Sequence, residues 1–227
     1  MRTVLIVGGS KGIGKAISKV LLDTSKVINI SRSQPEFTHQ NLTHYCCDIL
    51  TDELPDLESV DTLIYCPGSI NLKPFERLKI EDFKADFELN FIGAVKAIQK
   101  YLPNLKQVNS PSILLFSTVA SKLGMPFHAS VASVKSAIEG LVKSLAAEYA
   151  PKIRINAIAP TVTHTTLAAK LLRNDKQINQ MIERHPLKKY LSPEEVAEMA
   201  TFLISDKSAS MSGQIFEMDC GITTFKN

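Results

Sequence analysis

The run Val7-Gly8-Gly9-Ser10-Lys11-Gly12-Ile13-Gly14 is the part of this sequence best suited to chemistry. It follows a short apolar segment and opens a segment of helical period, the context in which such glycines bind a dinucleotide. Gly8 makes the tight turn, Gly12 lets the backbone approach a pyrophosphate, and Gly14 lets helix and strand pack closely. Free N–H groups of the turn, which also carries Ser10, Lys11 and Ile13, and the positive end of the helix then face the phosphates. A site built for NAD usually places Asp or Glu at the end of the second strand to bind the ribose 2′-hydroxyl. This chain has Ser31-Arg32-Ser33 there, with Lys11 nearby. Two cations and no acid suit a 2′-phosphate, so the expected cofactor is NADP(H).

The elements that must position this turn are legible as alternation. Strands are expected at Thr3–Val7, Lys26–Ser31, Thr43–Cys47, Thr62–Cys66, Ser112–Phe116, Arg154–Ala159 and Gln214–Met218, most of them near-continuous apolar runs. Helices are expected at Gly12–Asp23, Ile80–Tyr101, Ala129–Glu148 and Pro193–Ser205. The last is announced by Ser192-Pro193-Glu194-Glu195, a cap, a first-turn proline and two acids. The pattern predicts a single-domain α/β protein, a doubly wound parallel sheet (Rossmann fold) of about seven strands. The connections 32–42 and 50–61 are too short or too irregular for a full helix, so one flank should lack cover.

Bulk properties narrow the function classes. The 227 residues suffice for one well-buried domain, and 44% apolar with 22% charged residues is ordinary for a soluble protein. A net charge of +3 is too small to argue for nucleic acid or an anionic membrane, and neither is expected as a partner. No apolar stretch approaches the roughly 20 residues of a membrane span, and no targeting segment is visible, so a cytoplasmic location is expected. Cys46, Cys47, Cys66 and Cys220 lack metal-ligand spacing and read as reduced core thiols. No metal site is expected.

Taken in order, the motifs resemble the short-chain dehydrogenase/reductase family over nearly the whole chain. The glycine spacing G-x-x-x-G-x-G matches Gly8, Gly12 and Gly14, with Val7 where the family usually has threonine. Cys47-Asp48-Ile49 matches the aspartate that contacts adenine, and Leu89-Asn90-Phe91-Ile92-Gly93 the asparagine that holds a catalytic water. Ile155-Asn156-Ala157-Ile158-Ala159-Pro160 matches the segment leading to the nicotinamide, which makes Val162 and Thr165 cofactor contacts. Gln214–Gly221 resembles the closing strand and turn, with Cys220 in place of glycine. The resemblance further implies a substrate lid around 161–190, a small-molecule substrate, and a homodimer or homotetramer assembled through the long helices.

The pattern departs from the family at its chemistry. The family places a tyrosine four residues before a lysine on one helix, so that the cation lowers the phenol pKa from about 10. Lys135 stands at the lysine position, but Val131 holds the tyrosine position. Thr118 takes the place of the family serine, and Tyr65-Cys66-Pro67-Gly68 replaces its N-N-A-G turn. The family lysine also bonds the nicotinamide ribose, so Lys135 speaks for cofactor binding as well as catalysis. His128 lies seven residues before Lys135, the spacing that the enoyl-reductase branch uses for its tyrosine. Imidazole is a fit proton carrier near neutral pH, provided the helix extends back that far. The expected catalytic set is therefore Asn90, Thr118, His128 and Lys135. Two functions follow: an NADP(H)-dependent oxidoreductase acting on a small carbonyl or alcohol, or a catalytically silent NADP(H)-binding protein serving as sensor or assembly partner.

Overall fold

Alternate residues of the first strand face opposite sides of one sheet, and both sides are covered. A computed structural model describes residues 1–225. Strands β1 (Arg2–Val7), β2 (Ser25–Ser31), β3 (Leu42–Cys46), β4 (Thr62–Tyr65), β5 (Ser112–Phe116), β6 (Arg154–Pro160) and β7 (Ile215–Met218) form a seven-stranded sheet in the order β3-β2-β1-β4-β5-β6-β7. Every pairing is parallel. On one face Leu5, Val7, Leu63, Ile113 and Leu115 pack against α3 (Gly93–Leu105) and α4 (Ala129–Tyr149). On the other, Val4, Ile6, Ile64 and Leu114 pack against α1 (Gly12–Leu21) and α6 (Pro193–Ile204). Strands buried on both faces cannot alternate polar with apolar, which is why the sequence shows unbroken apolar runs.

All seven expected strands are present, and the two short connections hold no helix. As the sequence implies, one flank is thin: β3 is an edge strand with Thr43, Tyr45 and Cys46 exposed. The cap read at Ser192 is formed, its Oγ accepting from Glu195 N at 3.2 Å while Ser192 N donates to Glu195 Oε2 at 2.9 Å. Three expectations need correction. The helix expected over Ile80–Tyr101 is α2 (Ile80–Phe87), a π-helical turn (Glu88–Ile92) and then α3. A further helix, α5 (Asp175–Arg184), stands where no helix was read. Of the four free cysteines, Cys47 and Cys220 are buried, whereas Cys46 is exposed and Cys66 half-buried.

The order in which strands are added reverses between β1 and β4: β2 and β3 lie on one side of β1, and β4 to β7 on the other. Loops leaving the carboxyl ends of β1 and β4 part there and leave a crevice, the general place for ligands in doubly wound sheets.

Candidate active site

The crevice holds two neighbouring hollows, both bordered by Gly68. The first is a groove over the ends of β1, β2 and β4, lined by Gly8, Ser10, Lys11, Ser31, Arg32, Ser33 and Asp48 among others. Gly8 takes a positive φ of 83°. No side chain caps the first turn of α1, so its leading N–H groups are open to an anion. Ser10 ties the glycine turn to the end of β2: its Oγ lies 2.5 Å from Ser31 Oγ and from the Ser33 carbonyl, and it accepts from Asn29 Nδ2 at 2.9 Å. The loop bearing Arg32 is thereby fixed, while the Arg32 side chain stays 75% exposed and only loosely meets Asp48, at 3.9 Å.

The second hollow is a cavity of ≈ 240 Å³ with largely apolar walls, among them Ile13, Leu72, Met125 and Leu171. Thr118, His128, Val131 and Lys135 all line it, together with Val162 and Thr165. No tyrosine does, among the described residues. The expected lid segment supplies one side of it, from Thr161 to His185.

Lys135 is 7% exposed and donates to the Phe116 carbonyl at 2.8 Å. Burial brings its ammonium down to about 8, with Cys66 and Asp86 pulling the other way. A lysine brought down that far can exchange a proton close to neutral pH. Thr118 begins a short 3-10 turn, and its Oγ1 accepts from Ala120 N at 3.3 Å, a long bond that leaves the hydroxyl proton uncommitted. Asn90 does not line the cavity. It is buried in the π-helical turn, donating to the Asp86 carbonyl at 2.8 Å and to Ser69 Oγ at 2.9 Å. Its Oδ1 is without a partner, and a Cβ on Gly68 would come within 3.3 Å of it.

His128 is not part of the helix. It is the residue before α4, at φ −100° and ψ 9°, because Phe127 ahead of it adopts φ +68° and turns the chain. The argument from helical spacing to Lys135 therefore fails, although the imidazole still reaches the cavity wall. Its Nδ1 lies 2.7 Å from the Pro126 carbonyl and must carry the proton of that bond, so any exchange would use Nε2. Reading the sequence missed Ser69, Asp86, Thr161 and His185. Only Asp86 left a trace there, four residues before Asn90 and so on the same helical face.

Comparison with known proteins bears on the fold and the family. A family model described as enoyl-(acyl carrier protein) reductase matches residues 48–223. L-xylulose reductase of Bos taurus is 29% identical, covering 97% of this chain and 96% of that protein. Carbonyl reductase (NADPH) 2 of Sus scrofa is 29% identical, covering 96% of this chain and 94% of that protein. Among solved structures, a ligand-free aldohexose dehydrogenase of Thermoplasma acidophilum superposes with a TM-score of 0.91 at 26% identity, covering 99% of this chain and 95% of that one. With its parallel sheet, its glycine turn at the reversal point and these relatives along nearly its full length, the chain belongs to the short-chain dehydrogenase/reductase family of oxidoreductases.

Proposed function

We propose that the protein is an NADP(H)-dependent oxidoreductase that interconverts a small carbonyl compound and its alcohol. The carrying observation is that the groove and the cavity border on the same residue, Gly68, so that one elongated dinucleotide would span them. Gly8, Ser10, Lys11, Gly12, Ile13 and Gly14 would hold the pyrophosphate, Arg32 and Lys11 the 2′-phosphate, and Asp48 the adenine end. Lys135, Val162 and Thr165 would hold the nicotinamide end. The cofactor, once bound, supplies or accepts the hydride.

The remaining work falls to the chain. Apolar walls exclude water from the reacting carbon, the lid around 161–190 closes over the substrate, and the Thr118 hydroxyl orients the substrate oxygen. A proton must reach that oxygen, and two routes are available: Lys135 Nζ through water held near Asn90, or His128 Nε2. Self-association as a homodimer or homotetramer is expected through α2, α3 and α4, where Phe87 and Ile92 are exposed.

The reading is tested by following NADPH absorbance while the protein meets a panel of aldehydes, ketones and enones. Consumption with any of them supports the oxidoreductase; tight NADPH binding without consumption across the panel would favour the silent binding protein. His128→Ala divides the two proton routes. If His128 carries the proton, turnover drops roughly 10²–10⁴-fold with NADPH affinity unchanged. We expect instead a change of less than about tenfold, because the imidazole lies outside the helix that positions Lys135.

A further inference from the structure

A carboxylate is buried beside this cavity without a cation in contact. Asp86, on α2, is 3% exposed, and both of its oxygens are held: Ser69 Oγ donates to Oδ1 and Ser130 Oγ to Oδ2, each at 2.5 Å. Ser69 also accepts from Asn90 Nδ2, so its own proton is committed to Asp86. Both serine hydroxyls therefore donate to the carboxyl, and neither of its oxygens is left without a partner. Among the described residues no lysine, arginine or histidine pairs with it.

Lys135 has the complementary problem. Its ammonium is buried, its one side-chain bond goes to a backbone carbonyl, and no carboxylate touches it. Each ion alone would carry a heavy desolvation cost. The dipeptide Gly68-Ser69 lies between them: a Cβ on Gly68 would come 3.6 Å from Lys135 Nζ, while Ser69 grips Asp86. The other ionisable groups around the ammonium are Cys66 just after β4 and, in the wall of the cavity, His128, Arg184 and His185. Glu139, one turn further along α4, is taken up by Ser117 at 2.5 Å and by Ser121.

We propose that Asp86 is a positioning residue, the buried counter-charge of Lys135, which through Ser69 and Ser130 also fixes Asn90 and the first turn of α4 against the cavity. The inference rests on the reading of Lys135 as the residue at the nicotinamide end. Asp86 touches no reacting atom; it acts by keeping the lysine charged and the wall in place. In a family site that lacks its phenol, that charge decides how readily Lys135 gives up a proton.

The test is Asp86→Asn, which keeps the shape and can still meet both serines but removes the charge. The readout is the titration of the Lys135 amine in the cofactor-free protein labelled with ¹³C at lysine Cε, the resonance being assigned by its loss in Lys135→Arg. Loss of a nearby opposite charge should lower the titration midpoint by about one unit or more. An unmoved midpoint in a variant that melts like the wild type would overturn the proposal and leave Asp86 a plain structural link. If Asp86→Asn does not fold, Asp86→Ser, smaller and still able to bond one serine, carries the same readout. NADPH titration of the wild type in the same buffer keeps the two readings apart. Binding with an unmoved lysine midpoint defeats this inference alone, whereas absence of binding defeats the functional reading and leaves the lysine result standing.

Discussion

Gly14→Ala should abolish NADPH binding and lower stability by about 3 kcal/mol, near the upper end of what overpacking costs. A Cβ at this position would sit 2.2 Å from the Gly8 carbonyl oxygen and 3.1 Å from Gly9 Cα. Those neighbours are backbone, so no side-chain rotation relieves the clash; either α1 moves off β1 or the turn opens. Both outcomes would disturb the turn around Gly8, whose φ is +83° and whose N–H donates to the Ile30 carbonyl at 2.8 Å, and with it the proposed phosphate site. Urea unfolding followed by calorimetric titration checks both halves of the prediction. A variant that folds normally and binds NADPH with the wild-type affinity would contradict both the close packing of the turn and its part in holding the phosphates.

Val131→Tyr should raise carbonyl reduction by roughly 10²–10⁴-fold, the contribution of a positioned general acid. Val131 is buried, one helical turn before Lys135, and lines the cavity together with Thr118. A phenol grown from this position has the cavity to enter, with Lys135 near enough on the same face to lower its pKa. Bulk is the opposing effect, so melting temperature and NADPH affinity are measured first. A folded, cofactor-binding variant with no gain on any carbonyl in the panel would contradict the assignment of Val131 to the proton-donor position.

The strands and the glycine turn were legible because each rests on local pattern: continuous apolar runs for a doubly covered sheet, and a glycine turn in the right context. The failures arose where local pattern and tertiary structure part. Ile80–Tyr101 has one uninterrupted helical period, and the extra residue of the π-helical turn leaves no mark in composition. Yet that turn seats Asn90 behind Gly68. Helix α5 carries only a short apolar stripe, Ile178, Met181 and Ile182, in an otherwise polar segment, and none of its residues is fully buried, so its signal along the sequence is weak. Its cap is visible in the sequence as an Asn-x-x-Gln start, and Asn174 Oδ1 accepts from Gln177 N at 3.0 Å. His128 was placed by counting residues, and the count assumed a helix that the left-handed Phe127 prevents. The link from Ser69 to Asp86, Asn90 and Ser130 joins three separate stretches of chain, and no reading along the sequence assembles it.

The central claim is that the groove over β1 and β2 takes a dinucleotide bearing a 2′-phosphate. Calorimetric titration of the wild type and of Arg32→Ala with NADPH and NADH tests it most directly. The account predicts one NADPH per chain, bound at least about tenfold tighter than NADH, which is the worth of one charge-assisted hydrogen bond. Arg32→Ala should lose most of that preference by weakening NADPH alone. Equal affinities for the two cofactors in the wild type, or an Arg32→Ala protein that still prefers NADPH, would contradict it.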